Sequence, residues 1–372
     1  MKVIVERGDF LKAMSRAQSI VERRTTIPIL SNVLIEAEKD KISLRTTDLD
    51  IEIVEKVNAI VDQEGSTTVG AHTLHDIARK LPEGASLNLS SDQMNSRLEV
   101  KAGRSRFSLA TLPREDFPIM ANSEYQSNFI ISSGVLHKLF EKTKFAMSTE
   151  ETRYYLNGVF FHLADNDGVK SLRAVATDGH RLAQIDETPP EKCVDMPGVI
   201  IPRKTVGELR AVLEYGESDI AVSVSETKIR FVNPFMTLTS KVIDGTFPDY
   251  TRVIPKDNGK KLEVDANQFA QSVDRVSTIS SERARAVKLN LANDKLILSV
   301  SSPESGAADE ELPVTYGDDE LEIGFNAKYL QEIAAQVDTQ NAIFFFNTPS
   351  DPVLMKETKD SSAIYVVMPM RV

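Results

Sequence analysis

The sequence contains one cysteine, Cys193, in 372 residues. That excludes an internal disulfide framework and any zinc or iron–sulfur site built from several cysteines, and it fits a reducing cytoplasm. Long apolar runs are missing too: nothing approaches the roughly 18 residues a membrane-spanning helix needs. The N-terminus, Met1-Lys-Val-Ile-Val-Glu-Arg-Gly, meets charge on both sides of three apolar residues and does not read as a signal peptide. Positive charge is in deficit, with 44 Lys and Arg against 55 Asp and Glu and a net charge of -11, which argues against gripping nucleic acid by the overall field. There is no low-complexity tract, no long Gly/Ser linker and no phosphate-cradling glycine loop. What is present is a globular balance, 41% hydrophobic and 27% charged, in a chain long enough for two or three domains.

The dominant pattern is a long-period repeat. Three segments open with a short alternating strand, a tight turn and an amphipathic helix. In the first, Val3 and Val5 precede Phe10, Ala13, Met14 and Ala17; in the second, Phe129 and Ile131 precede Leu136, Leu139 and Phe140. In the third, Leu262 and Val264 precede Phe269, Val273 and Val276. A second strand–helix unit follows in each copy, anchored by Leu74/Ile77, Val206/Leu209 and Leu330/Ile333. Copies one and two also share Thr47-Asp48 with Thr177-Asp178, and Phe117-Pro118 with Phe247-Pro248.

Between the helices lie many short alternating runs bounded by turn residues, such as Lys41-Ile-Ser-Leu-Arg and Lys295-Leu-Ile-Leu-Ser-Val. Two helices against mostly antiparallel sheet make an α+β unit. The polar, turn-rich stretches near 122–128 and 255–261 place the boundaries, giving domains 1–125, 126–254 and 255–372.

Sheet-edged repeats joined head to tail either close into a ring or grow as a filament. The ends of the chain are matched for closure: Arg97, Arg104 and Arg106 make the end of the first repeat basic, while Glu304, Asp309 and Glu310 make the third acidic. The expected helical segments, 9–24, 72–81, 134–148, 203–213, 266–280 and 326–337, hold 14 Lys/Arg against 7 Asp/Glu. Cationic helices on an acidic body can hold a polyanion on one surface and repel it elsewhere.

Three constellations bear on catalysis or metal binding. His72 and His75 share a helix at a spacing that allows two metal ligands, but no third is evident. Thr47-Asp48-Leu49-Asp50-Ile51-Glu52 alternates three carboxylates and is better read as a solvated strand face than as a cation site. Thr177-Asp178-Gly179-His180 holds an Asp and a His without a nucleophile and reads as a tight turn. Cys193 sits among Glu191, Lys192 and Asp195 with nothing to activate it. The expectation is a protein without catalysis, metal or cofactor.

Arg153-Tyr-Tyr-Leu-Asn-Gly, Ala176-Thr-Asp-Gly-His-Arg-Leu-Ala, Ile201-Pro-Arg-Lys, Asp244-Gly-Thr-Phe-Pro-Asp-Tyr and the terminal Tyr365-Val-Val-Met-Pro-Met-Arg-Val closely resemble the bacterial sliding DNA clamps, the beta subunits of DNA polymerase III. The resemblance spans the chain. It implies three similar domains per chain, two chains paired head to tail into a ring, and helices lining the hole. It further implies a cytoplasmic replication processivity factor that encircles double-stranded DNA, slides on it without reading sequence, and is not itself an enzyme. DNA contacts fall on Arg24, Tyr154, Tyr155, Arg203 and Lys204, the tyrosines offering faces for base stacking. Partners are implied to be the polymerase III catalytic subunit, the clamp loader, other polymerases and repair proteins. Each would dock a short peptide, a Gln followed by apolar and aromatic residues. The matching pocket positions are Leu156, Thr177, Gly179, His180, Arg181, Leu182, Pro248, Arg252, Val253, Val366, Val367, Met368, Pro369, Met370 and Arg371. At the chain–chain contact, Phe107 and Leu109 are expected to face Thr278 and Ile279 of the second copy. Two departures from the family stand out: Glu150 beside the tyrosines, and Ala284 where a large aromatic flanks the pocket. A peptide-binding repeat scaffold without DNA is the alternative, and it would not need Arg24, Arg203 or Lys204.

Overall fold

The computed structural model describes residues 1–92, 96–121, 123–166, 168–213, 218–280, 285–358 and 362–371. Each repeat contains two strand–helix units. In the first repeat, strand Lys2–Glu6 leads into α1 (Arg7–Ile20) and Gly65–Gly70 into α2 (Ala71–Lys80). In the second, Ser127–Ser132 leads into α3 (Ser133–Lys144) and Val199–Pro202 into α4 (Arg203–Leu213). In the third, Lys260–Asp265 leads into α5 (Ala266–Ser277) and Leu321–Asn326 into α6 (Ala327–Ala334).

Several of these helices start where the last strand residue turns into a cap. Glu6, Asp265 and Asn326 accept backbone N–H bonds from Asp9, Gln268 and Lys328, satisfying donors that the first turn leaves open. The anchors then face inward: Phe10, Ala13, Met14 and Ala17 are buried, as are Leu136, Leu139 and Phe140, and Phe269, Val273 and Val276. The first helix stops at Ile20 rather than 24, because Val21 is extended and the next three residues, Glu22, Arg23 and Arg24, are exposed with no apolar side chain to bury.

Among the described residues the strands form four antiparallel sheets. A five-stranded sheet belongs wholly to the first repeat and ends on strand Ser105–Ala110; a four-stranded sheet belongs to the third and ends on Gly306–Pro313. The two eight-stranded sheets each draw on two repeats. In one, Met236–Lys241, the last strand of repeat two, pairs with Ile51–Asn58 of repeat one, from Met236↔Glu55 to Ser240↔Ile51. In the other, Ala363–Val367, the last strand of repeat three, pairs with Arg181–Glu187 of repeat two, from Arg181↔Val367 to Ile185↔Ala363.

Sheets that run through repeat boundaries make compactness follow the sheets. One compact unit comprises Met1–His137, Pro190–Pro197 and Lys204–Val242, the other Lys138–Pro189, Gly198–Arg203 and Ile243–Val372. The first holds the five-stranded sheet, one eight-stranded sheet, and α1 packed on α2; the second holds the other eight-stranded and the four-stranded sheets, and α5 packed on α6.

Candidate functional site

The shared Thr-Asp signature folds into the same turn twice. The Thr177 hydroxyl donates to the Arg181 carbonyl at 2.7 Å and accepts from the Gly179 amide, while the Asp178 carboxylate accepts from the amides of His180 and Arg181. In copy one the Thr47 hydroxyl donates to the Ile51 carbonyl at 2.8 Å and accepts from Leu49, and Asp48 accepts from Asp50 and Ile51. The third position needs a left-handed backbone, with φ of 88° at Gly179 and 81° at Leu49. At Gly179 a Cβ would also lie 2.7 Å from an Arg153 guanidinium nitrogen, so a side chain there would push that arginine aside. This corrects the reading of 47–52 as one strand: the strand ends at Thr47 and resumes at Ile51. Its carboxylates do not converge, since Asp48 accepts from Lys204, Asp50 pairs with Lys241, and Glu52 pairs with Arg45.

Behind the second turn lies an apolar cluster of Leu156, Val175, Leu182, Ile200, Phe247, Tyr250 and Val366, with Tyr155, Phe160, Ile243, Ile254 and Leu354 packed against it. Of the expected pocket residues, Leu156, Leu182 and Val366 meet here. Thr177 and Gly179 shape the turn, and the Met368 amide donates to the His180 carbonyl at 2.8 Å, tying the C-terminal segment to that turn. Val253 and Met368 are exposed large apolar side chains on described segments of this unit. Val175, Ile200, Phe160, Phe247, Tyr250 and Leu354 were not anticipated. The repeated Phe-Pro step at 247–248 and the family-like motif 244–250 were the signals that pointed to Phe247 and Tyr250.

Other expected members are not part of the buried cluster itself. Arg181 is 7% exposed and faces a cleft of about 440 Å³, where it pairs with Asp178 and Glu332 and lies over the rings of Tyr329 and Phe145. It braces the turn from behind and does not line the apolar cluster. Pro369, Met370 and Arg371 line a recess with Glu322, Ile323, Gly324, Pro349 and Ser350. Arg252 is exposed and pairs with Asp249, whose carboxyl is held below its usual range by the Thr251 hydroxyl first and Arg252 second.

The expected DNA contacts are unequal in exposure and pairing. Arg24 is exposed beyond the end of α1. Tyr154 is 52% exposed, with its ring 5.7 Å from and edge-on to that of Tyr155, which packs on the apolar cluster. Gly245 lies against the pair: a Cβ there would come within 3.1 Å of Tyr155 and 3.3 Å of Tyr154. Arg203 donates to the carbonyls of Met147 and Ser148, and burial, then Arg181, lowers its pKa. Lys204 donates to the Ile20 carbonyl at 3.0 Å and to Asp48 at 2.5 Å. Glu150 pairs with Arg153, which holds its carboxyl low by hydrogen bonding.

Comparison with known proteins gives the geometry its context. Family models of the DNA polymerase III beta subunit match three times along the chain: N-terminal domain at 1–121, central domain at 130–249 and C-terminal domain at 251–371. The chain belongs to this family. It is 48% identical to the beta sliding clamp of Caulobacter vibrioides and 38% identical to that of Escherichia coli, over the full length of both chains in each case. The crystal structure of the Bartonella birtlesii sliding clamp, bound to griselimycin, superposes with a TM-score of 0.97 at 47% identity, again covering both chains fully. As a family member, the chain is a processivity clamp of DNA polymerase III.

The features read as alternatives to a sliding clamp have ordinary structural partners. His72 bonds Gln18 and the Val21 carbonyl, and His75 bonds Ser15, so both histidines fasten α2 to α1. Cys193 is 4% exposed, and burial pushes its thiol up to about 11. Among the described residues no helix is long and apolar enough to span a membrane. Ala284 lies outside the described residues. On the outermost strands, Arg104, Arg106 and Asp309 are exposed, Arg97 donates to the Ser108 carbonyl, and Phe107 and Leu109 pack half-buried on their own core. Glu310 is already engaged by Arg275 and Ser272, which lower its pKa. Thr278 caps α5 with Ile279 beside it, and Glu304 lies in the turn before Gly306–Pro313.

Proposed function

We propose that two copies of this chain close head to tail into a ring around duplex DNA. One observation carries this. The last strand of a repeat pairs with the fourth strand of its predecessor at both internal junctions, Met236–Lys241 with Ile51–Asn58 and Ala363–Val367 with Arg181–Glu187. The remaining last strand is Ser105–Ala110 and the remaining fourth strand is Gly306–Pro313, and each is hydrogen-bonded on one side only. Repeating the junction between chains pairs these two edges, and two such contacts close a dimer. Arg97, Arg104 and Arg106 then approach Glu304 and Asp309, with Glu310 entering already paired, and Phe107 and Leu109 meet Thr278 and Ile279.

Within the ring, Arg24, Tyr154, Tyr155, Arg203 and Lys204 contact DNA weakly enough to permit sliding, which suits a lysine shared with Asp48 and an arginine shared with two carbonyls. The polymerase III catalytic subunit, the clamp loader, other polymerases and repair proteins dock short peptides on the pocket of Leu156, Leu182 and Val366, with Thr177, Gly179, His180, Pro248, Arg252, Val253 and Val367–Arg371 around it and Arg181 bracing its turn. The chain acts in the cytoplasm without catalysis or cofactor, as domains 1–125, 126–254 and 255–372. The test is topological: protein loaded on a nicked circle should stay bound through gel filtration and leave once the circle is linearised. Equal loss from both forms refutes encirclement.

A further inference from the structure

The apolar cluster rests on a buried polar relay that sequence motifs do not reveal. We propose that His162 is a positioning residue for partner peptides: through Tyr250 it fixes the 247–253 segment that forms one lip of the pocket. This rests on the reading of Leu156, Leu182 and Val366 as the peptide site.

His162 Nδ1 lies 2.9 Å from the Leu163 carbonyl and therefore carries the proton of the neutral ring, leaving Nε2 to accept from the Tyr250 hydroxyl at 3.0 Å. The Tyr250 oxygen in turn accepts from Arg173 at 3.1 Å. Arg173, 6% exposed, is held by Asp186 at 2.5 and 2.8 Å and by Asn166 at 3.1 Å. Ser171 and Gln184 donate to the same Asp186 carboxylate. The phenol is thus oriented from two sides, with one donor and one acceptor each used once.

Ring contacts carry that orientation to the pocket. His162 stacks on Phe160 at 4.3 Å, Phe160 on Phe247 at 5.0 Å, and Phe247 meets Tyr250 edge-on at 6.3 Å. Phe247 and Tyr250 belong to the cluster containing Leu156, Leu182 and Val366, and Tyr250 opens the short helix Tyr250–Val253 that bears exposed Val253. Gly198 permits the packing, since a Cβ there would lie 3.0 Å from the Phe160 ring and 3.3 Å from His162.

The relay is complete only while His162 is neutral. A proton on Nε2 would take away the acceptor of the Tyr250 O–H, with the Arg173 cation adding repulsion; the Leu163 carbonyl and Asp186 favour the charged form, but burial outweighs them and lowers the pKa. Asp249 flanks Tyr250 on its own segment, and His180 is exposed on the turn that holds the Met368 amide.

The test is fluorescence anisotropy with a labelled, doubly blocked peptide of Gln followed by apolar and aromatic residues, from pH 5 to 8. Tyr250→Phe keeps the ring and should weaken binding about 3- to 10-fold at pH 7.5. Wild type should lose a similar factor on acidification. His162→Gln, whose amide oxygen can accept from Tyr250, should bind within about threefold of wild type at pH 7.5 and lose that acid step. Wild-type affinity in Tyr250→Phe, or an undiminished acid step in His162→Gln, overturns the assignment. Leu156→Ala tests the underlying reading separately: unchanged peptide affinity there would show that the pocket itself is misplaced.

Discussion

A single proline should open the proposed ring while leaving each chain folded. Strand Ser105–Ala110 leaves its neighbour through a two-residue turn, with Ala102 opposite Ser105 and Gly103 at a φ of 55°. Such a turn is closed by a hydrogen-bonded pair, and bonded pairs alternate along an antiparallel ladder. The bonded pairs are therefore Ser105, Phe107 and Leu109 with Ala102, Val100 and Leu98, a phase continued by the Thr111 amide on the Ser96 carbonyl. The Ser108 N–H then points away from its own sheet, and Ser108→Pro removes no bond within the chain. Each internal junction pairs five residues, so a similar ladder is expected between chains. Proline deletes one bond, and its ring forces the opposing strand off a second, at about 1 kcal/mol each. A closed dimer has two identical contacts, so the cost is about 4 kcal/mol, nearly three orders of magnitude in the dimer dissociation constant. Sedimentation equilibrium reads that constant directly, and an unchanged thermal midpoint at monomeric dilution would show that the fold survives. A dissociation constant within threefold of wild type would refute the edge-pairing argument.

Three further outcomes follow from the side-chain geometry. Arg24→Ala should reduce the salt dependence of duplex binding by about one unit, whereas Lys204→Ala should reduce it less because Asp48 already neutralises part of that lysine's charge; equal effects in anisotropy titrations would contradict the pairing seen here. The folded state disfavours charged His162, so between its lowered pKa and the ordinary 6.5 the unfolded chain binds more protons. Stability should therefore fall as pH drops below 6.5, and urea midpoints of His162→Gln should fall less; parallel curves would exclude His162 as a source. The Cys193 thiol, pushed up to about 11 from 9.0, should be alkylated about 100-fold more slowly at pH 8 in the native protein than in denaturant, and equal rates by mass spectrometry would show that it is not buried.

The sequence exposed those parts of the molecule that obey a local period. Six strand–helix units were legible because Val5→Phe10, Ile131→Leu136 and Val264→Phe269 each place a helical anchor just past an inward strand residue. The Thr-Asp turn could be found by its repetition, but a leucine in the left-handed position of the first copy disguised it as a strand. The joining of sheets across repeats was not legible, since the pairing of Met236–Lys241 with Ile51–Asn58 depends on residues far apart in the chain. The pocket was half legible for the same reason. Motifs marked Leu182 and Val366, while Val175, Ile200 and Phe160 read as ordinary strand interior, and the His162–Tyr250–Arg173 relay leaves no spacing signature at all. Charge misled in one respect. Arg181 was expected in the peptide pocket and Lys204 on DNA, and the fold also engages both with internal partners.

The central claim, that this chain closes with a second copy into a ring wide enough for DNA, is tested most directly by negative-stain electron microscopy at a concentration that keeps the dimer intact. The account predicts closed rings with a hole wider than the roughly 20 Å that the groove dimensions of a duplex imply, lost in Ser108→Pro. Solid particles or open filaments from the wild-type protein would contradict it.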